Sequence, residues 1–186
     1  METTPTPSPP AQPAGPQPGP LPGSFTAADL EPHIGELELA PARLRAAVAG
    51  LTATQLDTPY RNWTLRQIVH HLPDSHLNCY VRFMWALTEE RPRIKAYDES
   101  AWSALSISRT GDIELPLALF DAVHAKWVAL LRTMSLDDFA RAFEHPETDK
   151  LVRLADALPS YAWHCRHHTE MIVWRRRAEG WDGPAS

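Results

Sequence analysis

Four stretches of this chain repeat their apolar residues at helical spacing, which confines the fold to a bundle of α-helices. In the first, over about residues 34–49, Leu37, Leu44 and Val48 recur with Ala40 and Ala47 filling in, and Gly50 ends it. Pro41 sits inside that pattern and predicts a kink or a break into two shorter helices. The second runs from Trp63-Thr64 to about Thr88, with Leu65, Ile68, Leu72, Cys79, Phe83 and Ala86 as its stripe and Pro73 as a predicted bend. The third spans about Leu115 to Thr133, with Pro116 in its first turn and Leu119, Val123, Trp127, Leu130 and Leu131 turned inward. Asp156 reads as the cap of the fourth, which ends near Ala178 with Gly180 beyond it. Arg175-Arg176-Arg177 complements the dipole at that end.

The connections carry their own signals. Thr52-Ala-Thr-Gln55 reads as a capping-box turn, and Ser135-Leu-Asp-Asp138 caps a short helix reaching Ala142. Residues 90–112, which hold Tyr97-Asp-Glu-Ser-Ala-Trp102, read as a segment draped over the bundle and over a site. Residues 143–154 alternate enough to predict a small β-hairpin before the last helix. Ahead of all this, residues 1–23 hold nine of the 18 prolines and a single charge, Glu2. A segment so poor in apolar surface cannot offset its ordering entropy and reads as a disordered tail. The expected organisation is therefore a tail over 1–23, one helical domain over 24–180, and a short C-terminal tail over 181–186.

Charge and cysteine usage exclude several classes. A net charge of −5 without a dense basic tract argues against a nucleic-acid binder. No apolar run approaches the ~18 residues a transmembrane helix needs, so no membrane partner is expected. Cys79 and Cys165 make no disulfide framework, and without a signal peptide the chain is expected in the cytoplasm. Both cysteines fall on apolar stripes and read as buried thiols rather than ligands.

The chemistry concentrates in the last helix. Three of the nine histidines lie in the five residues 164–168. His164 and His168 are four apart, so they stack on one face, the spacing by which a helix offers two imidazoles to one metal ion. Leu158, Tyr161, Ala162, Cys165 and Ile172 set the inward direction. At about 100° per residue His168 lies about 50° from it, His164 about 90° and His167 about 150°, which assigns His167 to the surface or an outer role. A third ligand would come from the segment Ile68–His76, where helical phase favours His76, then His71, and turns His70 away. Periodicity leaves that choice open. The bland alternative is a pair of core-flanking histidines hydrogen-bonded to backbone or to a carboxylate.

Asp57-Thr-Pro-Tyr-Arg61, the run Trp63-Thr-Leu-Arg-Gln-Ile-Val-His-His-Leu72, Asp74-Ser-His76, Asn78, Tyr80, Arg82-Phe83 and Ala86-Leu-Thr-Glu89 resemble the YfiT family of metal-dependent hydrolases, within the DinB-like superfamily. So do Tyr97-Asp-Glu99, Trp102, Phe143, His145-Pro-Glu147, Tyr161-Ala-Trp-His164 and Arg166-His-His168. The resemblance covers roughly Phe25 to Ala178. It implies an all-α, up-and-down four-helix bundle and one divalent metal per subunit, Zn²⁺ first and Ni²⁺ second, on His71, His164 and His168. It thereby selects His71 over His76. It also implies a cytoplasmic homodimer and a small-molecule substrate, and it includes thiol S-transferases that use bacillithiol or similar low-molecular-weight thiols.

Three histidine ligands leave open positions on an ion, the arrangement of catalytic rather than structural sites. The nucleophile is then water or a thiol, for hydrolysis or S-transfer. Asp74 and Glu170 are candidates to orient an imidazole, and Arg82 and Arg166 to hold an anionic substrate. A non-catalytic metal-binding scaffold on the same bundle is the competing expectation. The chain departs from the family pattern at Met171, which replaces a histidine, at Cys165, which replaces a glycine, in a shortened loop before Trp63, and at Pro73. Of these only Pro73 adjoins a ligand, and it is expected to bend the helix without abolishing the site.

Overall fold

The computed structural model describes residues 7–181. The first six residues of the proline-rich tail, and residues 182–186 of the expected C-terminal tail, lie outside the described residues.

α1 (Ala27–Val48) starts well before Ile34, because Leu30 extends its buried face toward the N-terminus and the Asp29 carboxylate accepts from the Thr26 N–H at 2.8 Å. It runs through Pro32 and Pro41 as one element, so of the kink or break expected at Pro41 the break does not occur. After the single turn α2 (Ala53–Leu56), capped by Thr52 and Gln55, a minimal hairpin pairs β1 (Pro59–Tyr60) with β2 (Trp63–Thr64). Its two-residue loop holds Arg61 at φ 58°. α3 (Leu65–Thr88) follows at once, with a reciprocal cap between Thr64 and Gln67, and passes unbroken through Pro73.

The connection after α3 carries two short helices, α4 (Glu99–Ser103) and α5 (Ser106–Thr110), both packed on α3. α6 (Glu114–Leu131) buries Leu117, Phe120, His124, Trp127 and Leu131, while Leu119 is 39% exposed. Of the expected inward stripe Val123, Trp127 and Leu131 are buried and Leu130 is half-buried; Leu119 alone turns out, and the large Phe120 ring beside it takes the core position. α7 (Leu136–Ala140) is capped by Ser135, and the expected hairpin is present as β3 (Ala142–His145) against β4 (Lys150–Arg153). α8 (Leu154–Ala178) starts two residues before Asp156, which stands in its first turn and accepts from Arg153 and from the Leu21 N–H instead of capping. Gly180 closes the helix at φ 68°, the left-handed conformation glycine tolerates.

The four long helices form the expected four-helix bundle, but not in the expected up-and-down order: their directions run up, down, down, up, because the long connection after α3 returns the chain to the end of the bundle from which α3 started. α1 packs on α6 and α8, and α3 packs on the same two, so the first two long helices stand on opposite corners. Side-chain contacts fix the directions. Arg45 near the end of α1 bonds Glu114 at the start of α6, and Arg132 just past α6 bonds Glu31 in the first half of α1, so these two are antiparallel. Arg176 in α8 donates to the carbonyls of Ala47 and Ala49, placing the C-terminal ends of α1 and α8 together. α3 and α6 are also parallel: His76 meets Phe120 and Phe83 meets Trp127. A chain that leaves the bottom of α3 and enters α6 at the top must climb the bundle in between. Residues 89–113 do this, which is why that connection is long and lies along α3; Arg66 in the first turn of α3 donates to the Gly111 carbonyl at its far end.

Residues 7–23, expected as a disordered tail, carry no regular secondary structure but are seated against the bundle. Tyr60 Oη donates to the Pro10 carbonyl at 2.7 Å, the Trp163 indole to the Gly15 carbonyl at 3.0 Å, and Arg153 to the Leu21 carbonyl at 2.7 Å. A proline-rich segment satisfies its carbonyls this way because it has few N–H groups with which to pair itself. Among the described residues no helix is long and apolar enough to cross a membrane.

Candidate metal centre

α3 and α8 run antiparallel and face each other, which brings His71 on the second turn of α3 against His164 and His168 midway along α8. The Nε2 atoms of His71 and His164 are 3.2 Å apart, and one ring nitrogen from each of the three histidines falls within 4.8 Å of the others. Trp63, delivered by β2, walls the cluster: its ring lies 4.6 Å from His71 and stacks at 6.1 Å on His168. Burial pushes His71 down to about 4, and burial together with the neighbouring imidazoles holds His164 and His168 well below the ordinary histidine range. All three are therefore neutral at pH 7 and keep a lone pair for an electrophile. Two nitrogens 3.2 Å apart can both reach an ion at the usual Zn–N distance of about 2.0–2.1 Å, so the donor set fits a borderline divalent cation.

The cluster is not sealed. A cavity of about 290 Å³ reaches His168, and its walls include Tyr60, Trp63, Ser100 from α4 and Met171. Ser100 comes from the segment expected to drape over a site. Ala11 of the N-terminal segment closes another side, and Arg61 and Asn62 of the β1–β2 loop complete the rim. Arg61 was not among the candidate site residues, although it closes the motif Asp57–Arg61 and stands in the two-residue linker between Tyr60 and Trp63. Its left-handed backbone is a conformation that non-glycine residues hold only when the surroundings enforce it.

The other candidates separate. His76, the residue helical phase prefers, is fully buried but stands behind the cluster, with its Nε2 3.2 Å from His164 Nδ1. The position where Asp74 or Glu170 was expected to orient an imidazole is thus filled by His76 at His164. Asp74 instead lines a separate cavity with His70, Pro73 and Leu119, where burial pushes its carboxyl up to about 6. Glu170 makes no hydrogen bond to the cluster among the described residues. His167, assigned by phase to the surface or an outer role, is 7% exposed because its ring stacks at 4.4 Å on Trp163. His124, buried on α6, was missed; it lies one turn after Phe120, which takes the core position instead of Leu119.

Arg82 is 8% exposed, donates to Tyr161 Oη at 3.3 Å, leaves its Nε without a partner, and makes no ion pair among the described residues. Arg166 is exposed and lies toward α1, where its charge helps depress His33, so it does not face the cluster. Both cysteines are buried and free: Cys165 Sγ donates to the Ala162 carbonyl at 3.2 Å, and burial pushes its thiol up to about 12. Neither is a ligand or a nucleophile in this geometry.

Comparison with known proteins places the chain in a family. Residues 36–172 match the DinB superfamily. The chain is 50% identical over 150 residues to "Putative metal-dependent hydrolase YfiT" of Bacillus subtilis (strain 168), covering 80% of this chain and 84% of that one. It is 46% identical over 156 residues to a relative of the same designation in Bacillus licheniformis, covering 83% and 89%. The solved structure of YfiT from Bacillus subtilis, described as having an unusual four-helix bundle topology, superposes with a TM-score of 0.84 over 87% of this chain and 94% of its own. This chain belongs to the DinB superfamily.

Proposed function

We propose that the protein is a metal-dependent hydrolase acting on a small, anionic molecule, with His71, His164 and His168 as ligands to one zinc ion per subunit. The observation that carries the reading is the convergence of three neutral imidazoles within 4.8 Å beside a cavity of about 290 Å³. A divalent ion held there supplies a Lewis acid that polarises a substrate and acidifies a small nucleophile. The chain supplies the remainder. Trp63 covers one side of the cluster and keeps bulk water from it, which strengthens every charge interaction within. Arg61 places a cation at the rim. Arg82, buried and bonded through one nitrogen to Tyr161 with its Nε left unpartnered and no ion pair among the described residues, offers a second cation for an anionic ligand.

One observation favours a second reading, transfer to or from a low-molecular-weight thiol. Among the described residues no carboxylate is hydrogen-bonded to the three imidazoles, so the site lacks an evident general base for water, whereas a thiol needs less help to ionise. In either reading the protein is cytoplasmic and works as a homodimer. The exposed apolar residues Leu77, Met84 and Trp85 on the outer side of α3 support such a pairing surface, and the two free thiols suit a reducing compartment.

The test is to load the protein with zinc and measure turnover on a panel of esters, amides and phosphoesters, and in parallel on several thiols with an electrophilic acceptor. Turnover on the first panel that disappears in His168→Ala supports hydrolysis, and turnover only on the second shifts the assignment to S-transfer. Full zinc occupancy with no turnover on either panel and no exchangeable position on the ion contradicts an enzymatic role.

A further inference from the structure

A line of hydrogen-bonded groups leaves the back of the histidine cluster and crosses the bundle, with one member from each long helix. His164 Nδ1 on α8 is 3.2 Å from His76 Nε2 on α3. His76 Nδ1 is 2.9 Å from His124 Nε2 on α6. His124 Nδ1 is 2.6 Å from the backbone carbonyl of Leu37 on α1. The line ends there for a reason legible in the sequence. In an α-helix the Leu37 carbonyl would accept from the N–H four residues on, but that residue is Pro41, which has none. Pro41 therefore leaves the carbonyl open in the middle of α1, facing the core, and His124 satisfies it.

This end point fixes every proton along the line. A carbonyl oxygen only accepts, so His124 must carry its proton on Nδ1. A neutral imidazole has one N–H, so His124 Nε2 is an acceptor and takes the Nδ1–H of His76. His76 Nε2 is then an acceptor in turn and takes the Nδ1–H of His164. His164 is left with a bare Nε2, the atom 3.2 Å from His71 Nε2. His76 is fully buried and His124 is 1% exposed, and no carboxylate is hydrogen-bonded to either ring among the described residues, so each takes part as a neutral imidazole with one N–H.

We propose that His76 and His124 are positioning residues that form a tautomer relay, running from the Leu37 carbonyl freed by Pro41 to His164, which locks the His164 Nε2 lone pair toward His71 and His168 and so prepares the site for a divalent cation. The metal-binding part rests on the reading of the cluster as a metal centre; the tautomer part does not. Carboxylates and carbonyls usually hold the far nitrogen of a metal-binding histidine. Here two further histidines carry the same instruction about a bundle's width to a backbone carbonyl, without placing a negative charge beside the ion.

Two measurements test this. Long-range ¹H–¹⁵N correlation spectra of the metal-free, full-length protein report the tautomer of each histidine. The relay requires His124, His76 and His164 all protonated at Nδ1 and bare at Nε2; His164 protonated at Nε2, or His124 bare at Nδ1, overturns it whether or not zinc binds. Zinc affinity, measured by competition with a chromophoric chelator, tests the consequence. His76→Phe keeps the ring volume but breaks the line, and is expected to weaken zinc about 10–100-fold and release His164 to a mixture of tautomers. His76→Gln, whose amide oxygen can accept the His164 Nδ1–H, is expected to restore most of the affinity. Unchanged zinc affinity and an unchanged His164 tautomer in His76→Phe contradict the relay. A wild-type protein that binds no zinc but shows the three Nδ1–H tautomers contradicts the metal reading and leaves the relay standing as an account of the cluster's protonation.

Discussion

His71 Nε2 and His164 Nε2 stand 3.2 Å apart although the two residues are 93 positions apart in the chain. Nothing but the antiparallel packing of α3 on α8 brings them together, and with His168 they form the one histidine set whose ring nitrogens converge among the described residues. Substitution of His71, His164 or His168 by Ala is expected to abolish stoichiometric metal, while His167→Ala, whose ring stacks on Trp163, retains it. Elemental analysis of the purified variants decides this, and a His164→Ala protein that still carries one equivalent contradicts the ligand set.

Acid should destabilise the metal-free protein earlier than its carboxylates alone would. His71 is held down to about 4 by burial, below its unfolded value of 6.5, so its neutral form is the folded one. The stability it contributes is complete above pH 6.5 and is lost as pH falls through about 4, about 3 kcal/mol for this residue. His164, His168 and His76 shift in the same direction and steepen the loss. Urea unfolding across pH 4–8 is expected to show a plateau above 7 and a decline below 6.5; a flat profile down to pH 5 contradicts the buried, neutral cluster.

Asp74 works in the opposite sense. Burial raises its carboxyl from 3.8 to about 6, so the folded protein prefers it protonated, and stability is lost as pH rises through that range. Asp74→Asn removes the penalty and is expected to stabilise the protein by about 1–3 kcal/mol at pH 7.5, with no gain below about pH 4. Thermal unfolding at the two pH values reads this out. A loss of stability at pH 7.5 contradicts the burial penalty.

Much of this was legible beforehand, and the failures have physical causes. Thr52, Thr64 and Ser135 cap as their local patterns require, because a cap is a contact within three residues. The order of helices around the bundle is set by packing between distant segments, and only the unusual length of residues 89–113 hinted at it. His76 shows how a correct signal misled. Helical phase identifies the more buried histidine, and His76 is fully buried; yet the more buried ring hydrogen-bonds behind the site, while His71, nearer the flank, faces His164. Resemblance implied His71 where periodicity leaned to His76, and His71 is the one whose ring nitrogen lies with those of His164 and His168. Asp156 misread as a cap and Leu119 misread as core both reflect long-range contacts, of Leu21 in one case and of the Phe120 and Trp127 rings in the other.

Arg82 supplies a kinetic prediction. Its guanidinium is buried and bonded to a neutral tyrosine, makes no ion pair among the described residues, and acts on the Glu99 carboxylate only through space. Arg82→Met is expected to raise KM for an anionic substrate with little change in kcat, and to leave a neutral analogue unaffected. Replacing a buried cation by an apolar chain of similar length should not lower stability. Arg166→Ala, exposed on the α1 side, is the matched control. Equal effects of Arg82→Met on charged and neutral substrates point to a purely structural role.

The central claim is a three-imidazole metal centre that keeps a position open. Zinc K-edge X-ray absorption on the stoichiometrically loaded, full-length protein tests it most directly. The expected spectrum has three imidazole nitrogens at about 2.0–2.1 Å with at least one further light-atom ligand that a small thiol replaces by sulfur at about 2.3 Å. A spectrum with four protein ligands, or one that no added thiol or anion perturbs, contradicts it.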